Sequence, residues 1–180
     1  NLYAKESSDH SKCRPEHYFK TLQNQLAQIK SKKFLKEEIN RYKNFKFNPT
    51  FLVGFPRSGT TLLDTILRSH SQIQVVEEQP IVDNAKISLQ SKDYRDTLNQ
   101  VLPPKKIKEA REAYETEFFK HLKVGEPVSV YIDKLPLNLL EVPLIQQLYP
   151  EAKFILALRH PMDTILSCWM QNFKLNDAMA

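Results

Sequence analysis

The residues best suited to chemistry lie in a short glycine-containing stretch, residues 54–61, with the sequence GFPRSGTT. A strand is expected before it and a helix after it, so its backbone N–H groups would lie at a helix N-terminus. That end of a helix carries unpaired donors and partial positive charge, which favour a phosphate or a sulfate. Arg57 adds a guanidinium that suits oxyanions, and Ser58, Thr60 and Thr61 add hydroxyls. We therefore expect an anion site; the alternative is a plain strand-to-helix turn in which Ser58 caps the helix.

The spacing of this stretch is close to that of the loop that binds nucleoside triphosphates, Gly-x-x-x-x-Gly-Lys-Ser/Thr. Gly54 and Gly59 match it and are two of the three glycines in the chain, but Thr60 stands where the lysine belongs. A nucleotide kinase or ATPase with an altered loop is therefore one hypothesis. The threonine and the lack of a clear Walker-B aspartate argue against it.

Predicted strands and helices alternate along the chain. Strands are predicted at residues 50–53, 73–76, 128–132 and 153–158, and helices at about 16–43, 62–70, 104–122, 138–148 and 161–173. Residues 81–102 stay unassigned, although Pro80 could open a helix. The alternation predicts an α/β fold, a parallel sheet flanked by helices and preceded by a helical N-terminal segment. Ligands of such sheets bind beyond the carboxyl ends of the strands.

Two of these helices carry an apolar face that repeats every three or four residues. After the loop the face consists of Leu62, Leu63, Ile66, Leu67 and His70, and in the 104–122 helix it consists of Ile107, Ala110, Tyr114, Phe118 and Leu122.

Three further polar clusters follow predicted strands: Glu77-Glu78, Asp133-Lys134 and Arg159-His160-Pro161. With the glycine loop, all four would gather at one edge of a parallel sheet. A glutamate there could act as general base towards an acceptor hydroxyl. A lysine at a strand end could stabilise charge on a bridging oxygen during group transfer, and Arg159 with Ser167 could grip a second anionic group.

Each of these clusters also has a plainer interpretation. The glutamates could be solvated acids near the start of the next helix. Lys134 could be an exposed lysine paired with Asp133, and Arg159 and Ser167 could be a surface arginine and a packed helical serine.

The composition excludes several classes of protein. The net charge of +5 suits an anionic ligand, but no aromatic–basic interleaving or zinc-type spacing points to nucleic acid or to a metal. Two cysteines do not make a disulfide framework, so a reducing, cytoplasmic location is expected. No apolar run approaches about 18 residues, so no membrane span is expected.

Taken together, the motifs resemble the sulfotransferase superfamily, whose sulfate donor is 3′-phosphoadenosine-5′-phosphosulfate (PAPS). The likeness is greatest to bacterial sulfotransferases found behind tetratricopeptide repeats and to protein-tyrosine sulfotransferases. It rests on FLVGFPRSGTTLLDTILRSH, VVEEQP, YIDKLPLN and FILALRHPMDTILSCW, which follow one another in the family's order. We therefore expect a helical segment over residues 1–47, which could be the end of an upstream helical region. The N-terminal part of a sulfotransferase domain is expected over residues 48–180.

The resemblance implies a role for each matching residue. The loop that holds the 5′-phosphosulfate would consist of Arg57, Ser58, Gly59, Thr60 and Thr61. The 3′-phosphate would be bound by Arg159 and Ser167. Lys134 would stand beside the leaving bridging oxygen, and Glu78 would be the catalytic base, with Glu77 as its immediate rival. No metal is implied.

The resemblance leaves the acceptor hydroxyl open among a protein tyrosine, a carbohydrate and a small alcohol. The family continues beyond the length of this chain, so the chain could be a fragment whose activity alone is open. A third hypothesis follows, in which the chain is a non-catalytic binding or assembly module.

Overall fold

The computed structural model describes residues 47–89, 101–123, 125 and 128–170, together with helical residues scattered between 16 and 27. Its strands are β1 (Thr50–Gly54), β2 (Ile73–Glu77), β3 (Val130–Lys134) and β4 (Lys153–Ala157). Its helices are α1 (Thr60–Arg68), α2 (Ile81–Ser88), α3 (Pro104–Lys120), a 3₁₀ helix (Pro136–Glu141), α4 (Val142–Leu148) and α5 (Pro161–Trp169). The chain divides into two compact units: one is Lys36–Leu158, and the other combines Asn1–Leu35 with Arg159–Ala180.

The four strands form one parallel sheet in the order β2-β3-β1-β4. The predicted α/β fold with a parallel sheet is therefore confirmed. Lys134 of β3 pairs with Leu52 of β1 on one side and with Glu77 of β2 on the other. The carboxyl ends of these three neighbouring strands consequently meet at one edge of the sheet.

Strand β1 shows why the sheet forms here. Phe51, Leu52 and Val53 are at most 1% exposed. A strand covered on both faces needs apolar side chains at consecutive positions rather than at alternate ones. The uninterrupted apolar run in the sequence is therefore the local signature of this central strand.

The predicted bounds of the third strand were wrong by two residues. It was expected at 128–132, but β3 is Val130–Lys134 because its pairing with β2 continues as far as Glu77 opposite Lys134. Asp133 and Lys134 therefore close the strand instead of following it, and alternation along the strand directs them to opposite faces of the sheet.

Helix α3 contributes Tyr114 and Phe118 to the aromatic core. The face predicted for it is confirmed at Ile107, Ala110, Tyr114 and Phe118, which are all buried, whereas Leu122 lies beyond the end of the helix at Lys120 and is only partly buried. The ring of Tyr114 lies 6.0 Å from that of Phe51 and 5.8 Å from that of Phe118, measured between centroids. The contact with Phe51 fixes α3 against the strand that leads into the glycine loop.

The face predicted for the helix after the loop was wrong in two respects. Helix α1 ends at Arg68, so His70 lies beyond it, and its buried residues are Thr60 and Asp64. Leu62 and Ile66 are 69% and 58% exposed. Periodicity identified the helix, but it could not show that a threonine and an ion-paired aspartate, four residues apart, would be its buried side.

The remaining elements refine the predictions. Part of the unassigned stretch is helix α2, which buries Ile81, Val82 and Ala85 and follows Pro80 as expected. The helix predicted at 138–148 is a 3₁₀ helix followed by α4. The predicted helical residues 28–43 and 171–173 lie outside the described residues. Among the described helices, none combines the length and the hydropathy needed to cross a bilayer.

Candidate active site

The glycine loop connects β1 to α1 without a side-chain cap. Gly59 is the N-cap residue of α1 and has a φ of 98°, and no side-chain hydrogen bond caps the helix. The hydroxyl Oγ of Ser58 is buried and has no hydrogen-bond partner. The alternative in which Ser58 caps the helix is therefore wrong. A buried hydroxyl without a partner is costly, and together with the N-terminal amides of α1 it fits a loop that receives the oxygens of an anionic ligand.

Gly54 is required by close packing at the start of this loop. A Cβ atom at this position would lie 2.7 Å from Ser58 Oγ and 2.8 Å from the carbonyl oxygen of Ala157 in β4. Contacts that short are not tolerated by a real Cβ, so any larger residue would displace the loop or the strand.

Backbone strain is concentrated at two of the predicted site residues. Among the described residues, the non-glycine residues with positive φ are Arg57 (69°) and Glu78 (50°). This conformation is uncommon for residues with a Cβ, and it persists where the surrounding structure enforces it, often at functional sites. The N–H of Glu78 donates to the carbonyl oxygen of Lys134 with an N···O distance of 2.7 Å, which holds the turn after β2 against β3.

Lys134 brings together the two predicted glutamates. Its side chain is fully buried, and its Nζ donates to Glu78 Oε1 at 2.6 Å and to Glu77 Oε1 at 3.1 Å. Burial opposes the charged form, but the hydrogen bonds to Glu78 and Glu77 outweigh it and raise the pKa of Lys134. The site therefore holds a lysine ammonium between two carboxylates, and the interpretation of Lys134 as an exposed lysine was wrong.

Two charged residues of α1 join this site and were missed by the sequence analysis. Arg68 donates through Nε to Asp64 Oδ1 at 2.9 Å and through Nη2 to Asp64 Oδ2 at 2.7 Å. The same Nη2 donates to Glu77 Oε2 at 3.1 Å. The spacing of four residues could have suggested the pair within the helix, but the contact with Glu77 depends on how α1 lies against β2.

Asp133 precedes Lys134 in β3 but contacts a different set of residues, on the side of the sheet that faces α3. It is completely buried, accepts a hydrogen bond from the hydroxyl of Tyr114 at 2.9 Å, and faces Asn138 Nδ2 at 3.4 Å. Burial raises the pKa of Asp133 to about 7, although the Tyr114 hydrogen bond opposes the rise. The carboxyl thus links β3 to α3 beneath the Lys134 site.

Arg159 and Ser167 belong to the unit that contains α5. Arg159 follows β4 in the sequence, and Ser167 lies on α5, which begins at Pro161 after His160. Their role at a 3′-phosphate stays a prediction. In the part of the chain that the structure describes, no three His, Cys, Asp or Glu side chains are grouped closely enough to hold a metal ion.

Comparison with known proteins places this fold and loop in a family. A sequence model of the sulfotransferase family matches residues 49–179. An uncharacterized protein of Aquifex aeolicus (strain VF5) is 33% identical over 134 residues, which is 69% of this chain and 17% of that protein. The chain therefore belongs to the sulfotransferase family.

Two relatives carry more specific names. A putative protein-tyrosine sulfotransferase of Caenorhabditis briggsae is 34% identical over 110 residues, covering 61% of this chain and 38% of that protein. Protein-tyrosine sulfotransferase 1 of Homo sapiens is 29% identical over 115 residues, covering 61% of this chain and 30% of that protein. The chain thus spans well under half the length of the relatives that it matches.

Proposed function

We propose that this chain carries the donor loop and the transfer residues of a PAPS-dependent sulfotransferase that acts on an acceptor hydroxyl. The observation that carries the proposal is the buried ammonium of Lys134, held 2.6 Å from Glu78 at the sheet edge where the glycine loop begins. Since β3 lies between β2 and β1, Lys134 has the glutamates on one flank and the strand of the loop on the other.

The donor, when bound, supplies an electrophilic sulfuryl group on a phosphate leaving group. The amides at the start of α1, the Ser58 hydroxyl and the Arg57 guanidinium are suited to bind its anionic oxygens. The residues present therefore fit the donor that the family implies. Arg159 and Ser167 remain our candidates for the second phosphate, since a guanidinium and a hydroxyl are suitable partners for it.

Glu78 and Lys134 have complementary roles in this proposal. Glu78 accepts the proton of the acceptor hydroxyl, and Lys134 donates a hydrogen bond to the oxygen that leaves with the phosphate. When Glu78 takes up the proton, it loses the negative charge that neutralises Lys134. The ammonium therefore becomes a stronger partner for the leaving oxygen at the moment when negative charge develops there.

The acceptor class is proposed from the relatives. Two of them are named as protein-tyrosine sulfotransferases, which favours a phenolic hydroxyl over a carbohydrate or a small alcohol. A phenol also loses its proton more readily than an alcohol does, so a carboxylate base suits it better.

The test is transfer of radiolabel from [³⁵S]PAPS by the complete gene product. A tyrosine peptide, an oligosaccharide and a small alcohol are offered in parallel, and we expect label on the tyrosine peptide. Label on another acceptor would overturn the acceptor class alone. Loss of transfer on Lys134→Ala is expected, and Lys108→Ala is the matched control because Lys108 lies on an exposed face of α3.

Two outcomes would overturn the proposal as a whole. One is an absence of transfer to all three acceptors by a folded protein. The other is magnesium-dependent ATP hydrolysis that exceeds any sulfuryl transfer, which would restore the kinase or ATPase hypothesis.

A further inference from the structure

The charges around Lys134 continue into helix α1. We infer that Arg68, locked in place by Asp64, is a positioning residue that holds Glu77 and thereby orients the ammonium of Lys134 for transfer. The inference rests on the proposed function, because that proposal is what gives Lys134 a role in transfer. It adds residues that have no contact with a donor or an acceptor in that proposal.

The first step is the ion pair between Arg68 and Asp64, in which the Arg68 side chain is 41% exposed. Its guanidinium contacts both carboxylate oxygens of Asp64, at 2.9 and 2.7 Å, in the bidentate geometry that fixes orientation as well as distance. The Asp64 side chain is only 3% exposed. A buried carboxylate is stable only with a partner, so Asp64 keeps Arg68 at this point of the helix.

The second step is the bridge made by Glu77. Its Oε2 accepts from Arg68 Nη2 and its Oε1 accepts from Lys134 Nζ, both at 3.1 Å. The two oxygens of one carboxylate thus serve one cation each. Arg68 therefore neutralises part of the negative charge of Glu77, which would otherwise act on Lys134 alone.

The third step is the balance at Lys134. Its ammonium lies closer to Glu78, at 2.6 Å, than to Glu77, at 3.1 Å. Without Arg68, the unshared charge of Glu77 would draw the ammonium towards β2 and away from Glu78. Because the proposed transfer requires Lys134 and Glu78 to act together, the loss of Arg68 should lower the transfer rate without weakening donor binding.

The experiment is a double-mutant cycle on steady-state transfer by the complete gene product. Arg68→Ala should lower kcat about tenfold, less than the hundredfold that a misplacement of about 1 Å can cost, and leave the donor KM within about twofold. Arg68→Lys should recover part of the loss. If Arg68 acts through Glu77, the double variant R68A/E77Q should be no slower than Glu77→Gln alone.

Lys108→Ala is again the control, since Lys108 and Glu112 form an i,i+4 pair like Asp64 and Arg68 but on an exposed face. Its kcat should equal that of the wild type. A wild-type kcat in Arg68→Ala, or losses that multiply in the double variant, would overturn the inference while leaving the sulfotransferase proposal intact.

A second readout does not depend on activity. The side-chain NMR resonance of Lys134 Cε should shift in Arg68→Ala and in Glu77→Gln and stay unchanged in Lys108→Ala. If the wild type transfers no sulfate, the proposed function fails, and this spectrum still decides whether Arg68 positions Lys134. An unmoved resonance in Arg68→Ala would overturn the inference.

Discussion

Glu77 and Glu78 are neighbours in the chain but differ in how they meet Lys134. Both oxygens of Glu77 accept from cations, one from Arg68 and one from Lys134, whereas Glu78 meets Lys134 through Oε1. The Glu78 side chain is also the more exposed, at 57% against 41%. A general base needs an oxygen within reach of the incoming proton, so the geometry favours Glu78 as the base and Glu77 as a support.

Replacing Glu78 by glutamine tests this assignment. Glu78→Gln keeps the shape but cannot accept the proton, so we expect kcat to fall by about 10²–10⁴-fold. Glu77→Gln should have the smaller effect, because it removes a support and not the base. The measurement is kcat for sulfuryl transfer at saturating donor; a larger loss in Glu77→Gln would reverse the assignment.

Asp133 gives a prediction about pH and stability. The pKa of Asp133 is about 7 in the folded protein, against the ordinary value of about 3.8 that an aspartate has in an unfolded chain. Between these two values the folded state keeps a proton that the unfolded state has lost. Stability must then fall as the pH rises through this window, by at most about 1.4 kcal/mol per pH unit for one group. In Asp133→Asn this contribution to the fall should be missing. Urea unfolding between pH 4 and 8 measures the difference.

Tyr114→Phe is the companion variant to Asp133→Asn. Removing the hydroxyl takes away the hydrogen bond that lowers the pKa of Asp133, so the decline in stability should extend to a higher pH than in the wild type. Parallel pH profiles of the wild type and Asp133→Asn would contradict the assignment of this titration to Asp133.

At the scale of elements, the site depends on three strand ends and the start of one helix. β2 and the turn after it supply the glutamates, β3 supplies Lys134, and β1 leads into the loop at α1, while β4 closes the other side of β1. Gly54 lies where the loop leaves the sheet, opposite Ala157 of β4. The position of the loop is therefore set by the packing of two strands as well as by its own sequence.

Gly54→Ala should be destabilising for this reason. The added methyl group would meet both Ser58 Oγ and the Ala157 carbonyl oxygen, and overpacking of this kind costs about 1–3 kcal/mol. The double variant G54A/S58A should recover only part of the loss, because the backbone carbonyl remains. The free energy of unfolding in urea checks both, and a wild-type value for Gly54→Ala would contradict the close packing.

At the scale of the whole molecule, ligand binding should be visible as stability. Adenosine 3′,5′-bisphosphate lacks the sulfuryl group but keeps both phosphates, and a ligand at about 100 times its Kd stabilises by about 2.7 kcal/mol. We expect the melting temperature of the complete gene product to rise in its presence. Arg57→Ala should abolish the rise, Lys108→Ala should keep it, and an unchanged melting temperature at millimolar ligand would argue against donor binding.

The architecture was accessible from the sequence because its signals are local. Apolar runs marked the four strands, and the spacing in α3 marked its buried face. The link between Arg68 and Glu77 was not accessible, because it arises only when α1 packs against β2. The exposed side of α1 was misjudged for a related reason: periodicity defines a stripe, but other elements decide what covers it.

The left-handed backbone at Arg57 and Glu78 has a consequence for protein engineering. Each of these residues holds a conformation that asparagine or glycine adopts with less strain, but replacing Glu78 would also leave the buried Lys134 ammonium without its nearer carboxylate. Both Arg57 and Glu78 are also residues on which the proposed transfer depends. Relief of strain and loss of the reaction would therefore come from the same substitutions, so a screen for resistance to heat at these two positions must be paired with an assay of transfer.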